Sequence, residues 1–340
     1  PPPRSTLILT LFPYTTLFRS ERHPTFGLGG LLGVLWDRLV AEGVGHGKAK
    51  KDTGCGKLTQ IIPIFLSAVS WTTLKMLMVF PRKRWGSVDN WITMTQQFLP
   101  PVVPLPQLDA HLTVNGFAIV DAADAPAWLS VSTQDLVDFQ ACWTDLPSDA
   151  YLKDGGNYRR RRHSCFVVNG ADVLQVPHRA HWQPVAYNAL HGGMERLFEP
   201  MDAVATRLPA FQALLKAGAA AADSLRGAQP WYVEAHQFRI DTSDGIGRPT
   251  PEGAHRDGVD LVMVALVSRV AVKGGESRVF EANAPQGQRF TMTAPWTTLL
   301  LDDARMIHES TPIQPEDAMG WRDTLVLTFR ANAFQGVDAG

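Results

Sequence analysis

Three residues far apart in the chain are of the types that hold a catalytic metal. His255 and Asp257 stand two positions apart in His255-Arg256-Asp257, and His308 follows Asp257 by 51 positions. In an extended segment, residues i and i+2 project to one face. A His-x-Asp pair that opens a strand therefore presents an imidazole and a carboxylate together. A second imidazole from a distant strand completes two nitrogens and one oxygen on one face of an ion, the set that leaves coordination positions open in non-haem Fe(II) centres. A lone His-x-Asp matches freely by chance, and its plain alternative is a loop histidine beside a solvated aspartate. The setting adds weight here: the apolar run Val259–Val267 follows the pair, and His308 falls in a second β-rich run.

Such a centre needs a two-electron donor to activate O2. Where 2-oxoglutarate serves, its 2-oxo acid chelates the metal and its far carboxylate must be held. A guanidinium does this through two parallel hydrogen bonds and stays charged at any working pH. Arg322 and Arg330 bracket the run Arg322–Arg330 with one parity. Arg322 is favoured as the carboxylate anchor, with Arg330 as second candidate; the alternative is that both are solvated strand ends. Gln237 and Arg239 share a parity on the predicted first barrel strand, so one of them, Gln237 being the candidate, faces the cosubstrate while His236 faces away. Tyr158 and the run Arg159–Arg162, with Arg160 as the candidate, could hold a substrate carboxylate. Solvation is the default for such a basic run. His163, His178, His181 and His191 receive no specific role. Gly274-Gly275 lacks the phosphate-loop pattern and is read as a turn.

The elements that must position these groups change character along the chain. Leu112–Val120 is predicted as a strand containing Asn115-Gly116, Val131–Trp143 as a helix, and Asn157–Val168 as entering a strand. Tyr187–Ala222 has helical periodicity divided by Pro200 and Pro209 into at least two helices. After Gln229-Pro230 come short β-rich runs separated by Gly and Pro: 231–240, 259–272, 276–281, 288–293, 297–301, 305–307 and 324–329. Helices followed by a dense strand series predict a mainly β, α+β domain: a β-barrel or jelly roll buttressed by N-terminal helices.

The first quarter of the chain reads differently. Thr10–Ser20 (TLFPYTTLFRS) is the conceptual translation of a common sequencing adapter, to be excluded from fold reasoning. Six of the nine lysines lie at or before position 83. The expectation is that residues 1–93 are an artefactual or untranslated extension without stable structure. Met94 is then the start of a single domain, 94–340, with its catalytic barrel at about 231–331. The apolar stretch 58–80 is interrupted by Gln60, Pro63 and Lys75, which makes a poor membrane span.

A formal net charge of −1 does not suggest a polyanion-binding protein, so nucleic acid is not an expected partner. Cys55, Cys142 and Cys165 are widely spaced, which indicates neither a disulfide framework nor a thiolate zinc site. A reducing cytoplasm fits this usage, and Cys142 and Cys165 are expected to be buried and inert.

Four segments together, HRDG (255–258), VKGGESRVFE (272–281), DDARMIHESTPI (302–313) and WRDTLVLTFR (321–330), resemble the bacterial 2-oxoglutarate/Fe(II) dioxygenases that include the free L-amino-acid hydroxylases. YRRRRHSCF (158–166) resembles that family's N-terminal half, and the likeness spans about Ile119–Ala331. It implies a double-stranded β-helix, with His255, Asp257 and His308 as iron ligands and Arg322 as the 2-oxoglutarate anchor. Fe(II), 2-oxoglutarate and O2 are the implied cofactors, succinate and CO2 the coproducts, and hydroxylation or sulfoxidation of a free L-amino acid the reaction. Three alternatives stay open: a cupin-type metal-dependent isomerase or lyase, a non-catalytic barrel that binds a partner, and hydroxylation of a protein or nucleic acid.

Overall fold

A computed structural model describes residues 98–336 apart from Ala189, and the expectations for residues 1–93 lie outside the described residues. β1 (Phe117–Val120), β2 (Arg159–Asn169), β3 (Asp172–Gln175), β4 (Trp231–Asp241), β5 (Leu261–Val270), β9 (Thr298–Asp302) and β12 (Trp321–Ala331) form one antiparallel sheet. Its strand order is β1-β9-β5-β12-β4-β2-β3. A second layer holds β10 (Met306–Ser310), β7 (Ser277–Glu281) and β8 (Gly287–Phe290), and beside it the pair β6 (Val272–Gly274) and β11 (Ile313–Pro315). Non-sequential neighbours in antiparallel layers make a jelly roll.

Side-chain alternation gives the large sheet two faces with different tasks. One face carries Val233 and Ala235 of β4, Leu325, Leu327 and Phe329 of β12, and Met263 and Ala265 of β5, all buried in one apolar cluster. That cluster includes Phe211, Leu214 and Leu215 of the helix Pro209–Arg226, and Leu112 and Phe139 from the helices Leu108–Asn115 and Thr133–Gln140. The long helix presses close because Gly218 faces the ring of Phe329: a Cβ there would lie 2.2 Å from Cζ. The other face of the sheet looks toward the second layer. Phe117, Ile119, Val279, Phe290, Leu301 and Met306 fill that interlayer space at one end, which leaves the polar residues of β2, β4 and β12 to line the other.

Local sequence explains most boundaries. Ser132 caps Thr133–Gln140 in a reciprocal capping box with Asp135. Two expectations need correction. Leu112–Val120 is not one strand: Leu108–Asn115 is a helix closed by Gly116 at φ 74°, and only Phe117–Val120 is extended. A left-handed residue after the last helical turn is a helix stop, so Asn115-Gly116 marks a helix end. The second is Tyr187–Ala222, where the α-helix is confined to Pro209–Arg226 and the residues from Tyr187 to Pro200 run as turns and irregular chain. Gly192 is packed against the carbonyls of Asn188 and Pro184, and Gly193 has φ 74°, so the apolar spacing there serves loop packing. Among the described residues, no helix is long and apolar enough to cross a membrane.

Candidate metal centre and its cavity

His255 and Asp257 do not lie within a strand. They sit in the irregular segment before β5, and His255 makes an isolated bridge to His308 of β10. The two main chains exchange hydrogen bonds, His255 N–H to the His308 carbonyl at 3.0 Å and His308 N–H to the His255 carbonyl at 2.9 Å. This is a correction to the strand argument: the pair is aimed by a bridge and by a turn. The turn is held by Asp303, whose carboxylate accepts from the backbone N–H groups of Asp257, Gly258 and Val259 at 2.7 to 3.0 Å. Gly258, at φ 77°, supplies the conformation that this turn requires.

One donor atom from each of His255, Asp257 and His308 lies within 4.8 Å of the others. His255 Nε2 is 3.9 Å from Asp257 Oδ1, and His308 Nε2 is 3.8 Å from Oδ2. His255 Nδ1 is 2.9 Å from the Gly253 carbonyl, a contact that makes Nδ1 the protonated nitrogen and leaves Nε2 with a lone pair toward the cluster. Burial, and then the neighbouring His255, hold His308 well below the usual imidazole range, so it stays neutral as a ligand must. Burial and then the charge of Asp257 push Asp303 up to about 7. Two neighbouring carboxylates with too little positive charge between them are what a divalent cation would relieve. The donor set and the electrostatics both fit Fe(II).

A second group could also hold a metal by proximity: His163, His181, Glu234 and His236, all buried. It is better described as a hydrogen-bonded network. Glu234 Oε2 is in contact with His181 Nδ1 and with His163 Nε2, the latter at 3.2 Å. An Arg161 Nη2 donates to His236 Nδ1 at 2.7 Å. A guanidinium only donates, so that His236 nitrogen accepts, and the other must carry the proton in the neutral ring. His236 then has no lone pair to offer a metal at Nε2, and a fixed cation stands beside it.

The triad and, from the second group, His181, Glu234 and His236 line one cavity between the layers, together with Arg322, Arg330 and Arg196. Arg322 is 3% exposed, its Nε has no hydrogen-bond partner, and no ion pair reaches it among the described residues. Burial, and then the charge of Arg269, lower it to about 10. Arg330 also faces the cavity, but it donates to the carbonyls of Ala333 and Phe334 at 3.0 and 3.1 Å and so has partners already.

Three expected site residues are placed elsewhere. Gln237 does not line the cavity; its amide donates to the Cys142 carbonyl at 3.3 Å, and Arg239 pairs with Asp323 through two bonds of 2.8 Å. Glu234, His236 and Phe238 face inward in their place. Alternation fixed which β4 residues share a face but not which face is inner. Tyr158 is buried against Ile240, Val272 and Ile313, with its hydroxyl on Asp154. Arg160 contacts Ser148 and Asp241, outside the cavity. The basic run is split by strand geometry: Arg159 and Arg161 point inward and are 5% and 4% exposed, which overturns the solvated reading for them. The missed signal was period two: Arg159, Arg161 and His163 on β2 stand across from Ile240, Phe238 and His236 on β4.

The model of the 2OG-Fe dioxygenase family matches residues 140–328. Among solved structures, a bsmA homolog from Methylobium petroleophilum PM1 is 48% identical over 70% of this chain and 97% of that one, with a TM-score of 0.66. IDO from Bacillus thuringiensis is 19% identical, covering 68% of this chain and 100% of that one, TM-score 0.56. The Fe(II)/(alpha)ketoglutarate-dependent dioxygenase TqaL is 22% identical, covering 67% and 87%, TM-score 0.51. The last two likenesses concern the fold alone. No curated protein matches the chain.

Proposed function

The chain belongs to the 2OG-Fe dioxygenase family and is a non-haem iron oxygenase that uses Fe(II), 2-oxoglutarate and O2; from that premise we propose that it hydroxylates or sulfoxidises a free L-amino acid in a reducing cytoplasm. On this reading His255, Asp257 and His308 hold the iron. The bound iron supplies O2 activation coupled to oxidative decarboxylation of 2-oxoglutarate, which releases succinate and CO2.

The protein's own groups do the rest. Arg322 pairs with the far carboxylate of 2-oxoglutarate, and the observation that carries this assignment is its buried guanidinium without a counter-charge in the same cavity as the triad. A buried cation of that kind is costly unless a ligand completes it. Thr324, Val326 and Thr328 lie between Arg322 and Arg330 on the inward parity of β12 and line the same cavity, which gives the cosubstrate a half-apolar wall. Gln183 donates to Asp257 Oδ1 at 2.9 Å and is held by Asn188 and Arg196, so the carboxylate keeps its direction. The amino-acid substrate is supported by the family resemblance of the four C-terminal motifs and by the charged lining of the remaining cavity.

The test is succinate formation by the Fe(II)-loaded protein with 2-oxoglutarate in air, against a panel of free L-amino acids, with mass detection of added oxygen. Succinate that depends on one amino acid, with a product one oxygen heavier, is expected. Absence of succinate from folded, iron-loaded protein with every member of the panel would overturn the amino-acid reading.

A further inference from the structure

Six buried polar atoms of residues lining the cavity lack partners among the described residues; besides Arg322 Nε and His308 Nδ1 there are four, and they are not alike. Arg159 Nη2, Arg161 Nε and Arg196 Nε are donors; Glu252 Oε2 is an acceptor. All four residues line the cavity. Unsatisfied buried groups are rare in native proteins and mark a ligand or a functional role. A cluster of orphan donors beside one orphan acceptor asks for a ligand with an anionic end and a cationic end.

Their positions are ordered relative to the triad. Asp149 takes Arg159 through a 2.7 Å bond and lies 3.8 Å from Arg161. Arg161 is fixed between two rings, its guanidinium carbon 3.6 Å from the centroid of Phe198 and 4.4 Å from that of Phe238. Stacking of this kind holds the guanidinium plane rigid, and with Nη2 engaged by His236 it is the Nε–H that is left to recognise a carboxylate. Arg196 reaches the metal side: its Nη2 donates to Gln183 Oε1 at 3.0 Å, and Gln183 donates to Asp257. Glu252 stands nearest the triad, with Oε1 3.6 Å from His255 Nε2, and its charge is one of those felt by Arg196. The charges also balance, because Arg159, Arg161 and Arg196 meet Asp149, Glu234 and Glu252. A ligand with one charge of each sign leaves that balance intact, whereas a simple anion or cation disturbs it.

We infer that Arg159, Arg161 and Arg196 together with Glu252 form a zwitterion subsite, in which the guanidiniums take an α-carboxylate and Glu252 takes an α-ammonium. The inference rests on the free-amino-acid reading and sharpens it. The enzyme requires both termini of its substrate to be free, and Glu252 selects against N-acylated and peptide-bonded residues. A site built to bond a substrate N–H group discriminates strongly against an analogue lacking it, because its own buried acceptor is then left unpaired.

The experiment uses the iron-loaded protein under anaerobic conditions with 2-oxoglutarate. The absorbance of the Fe(II)–2-oxoglutarate complex reports the cosubstrate site independently of any substrate. Three matched sets are titrated by calorimetry, free L-amino acids, their N-acetyl derivatives and their α-amides, and succinate is then measured in air. The best free amino acid should bind at least about 100-fold tighter than either of its derivatives. Glu252→Gln, close in shape and only partly buried, should shrink the free-to-acetylated preference at least about tenfold, the effect of losing a charged hydrogen bond. Arg196→Gln should do the same to the free-to-amide preference. Equal binding of free and acetylated forms, or a Glu252→Gln protein that keeps the full preference, overturns the zwitterion subsite while the hydroxylase reading stands. If the Fe(II)–2-oxoglutarate absorbance forms and no free amino acid binds, the amino-acid reading itself falls, and the subsite with it.

Discussion

Replacing Arg322 with methionine should move two quantities in opposite directions. Methionine keeps much of the volume and removes the charge. The folded protein holds this guanidinium at about 10, against 12.5 for the exposed group, chiefly through burial and then through Arg269. The folded value lies below the unfolded one, so at neutral pH, beneath both, the folded state bears the whole cost of the buried charge. That difference corresponds to about 3 kcal/mol. Without ligand, Arg322→Met should therefore be more stable than the wild type by up to about 3 kcal/mol, or about 6–12 °C in Tm for a domain of this size. With Fe(II) and 2-oxoglutarate at about 100 times its Kd, the wild type gains about 2.7 kcal/mol. The variant loses a buried charge pair whose truncation costs about 2–5 kcal/mol, so at that concentration it gains little or nothing. The assay is anaerobic thermal unfolding with and without 2-oxoglutarate. Arg330→Met serves as the comparison, since Arg330 is already bonded to the carbonyls of Ala333 and Phe334. An Arg322→Met protein that is less stable than the wild type without ligand, or that keeps the ligand-induced gain, refutes the reasoning.

Further expectations concern the metal, its support and pH. His308→Ala should abolish stoichiometric Fe(II) binding by equilibrium dialysis, whereas His236→Ala should leave it intact; the opposite pattern would move the iron to the Glu234 network. Asp303→Asn keeps one acceptor oxygen for three backbone N–H groups, so Fe(II) affinity should fall about 10- to 100-fold with the fold retained, and unchanged affinity would remove Asp303 from any positioning role. His163, His181 and His236 are all held below the usual imidazole range, chiefly by burial, with His181 at about 4. A folded value below the unfolded 6.5 means that stability is fully present above pH 6.5 and is lost as pH falls toward 4. Urea midpoints should therefore fall steeply over that window, and a flat profile would mean that these rings are not buried neutral.

The proximity of His255, Asp257 and His308 was legible in residue types and order, although the strand invoked to aim the first two is absent. Their convergence depends on Asp303 and on a bridge, long-range contacts that no local pattern carries. Parity on β12 placed Arg322 correctly toward the cavity, because the companion face, Leu325, Leu327 and Phe329, is uniformly apolar. The same argument failed on β4, where each face mixes apolar with polar residues and Gln237 and Arg239 lie near the end of the strand. The Arg159–Arg162 run was read as one solvated unit, yet strand alternation buries every second member. Helical periodicity near Tyr187 misled for a related reason: apolar spacing reports burial, and a loop wrapped over a cavity is buried too.

The reciprocal backbone bonds between His255 and His308 have a mechanical consequence. They rivet the segment before β5 to β10 at the triad, so the two elements cannot part there without breaking main-chain bonds. Beside that riveted segment, Arg196, Phe334 and Gln335 border the cavity on irregular chain. Gln335 donates to the carbonyls of Asp257 and Gly258 at 3.0 and 2.8 Å, and Arg179 donates to the Gln335 carbonyl. Gln335 is thus clipped to the turn that carries Asp257 by side-chain bonds, which can open and close while the main-chain bonds between His255 and His308 keep the triad still.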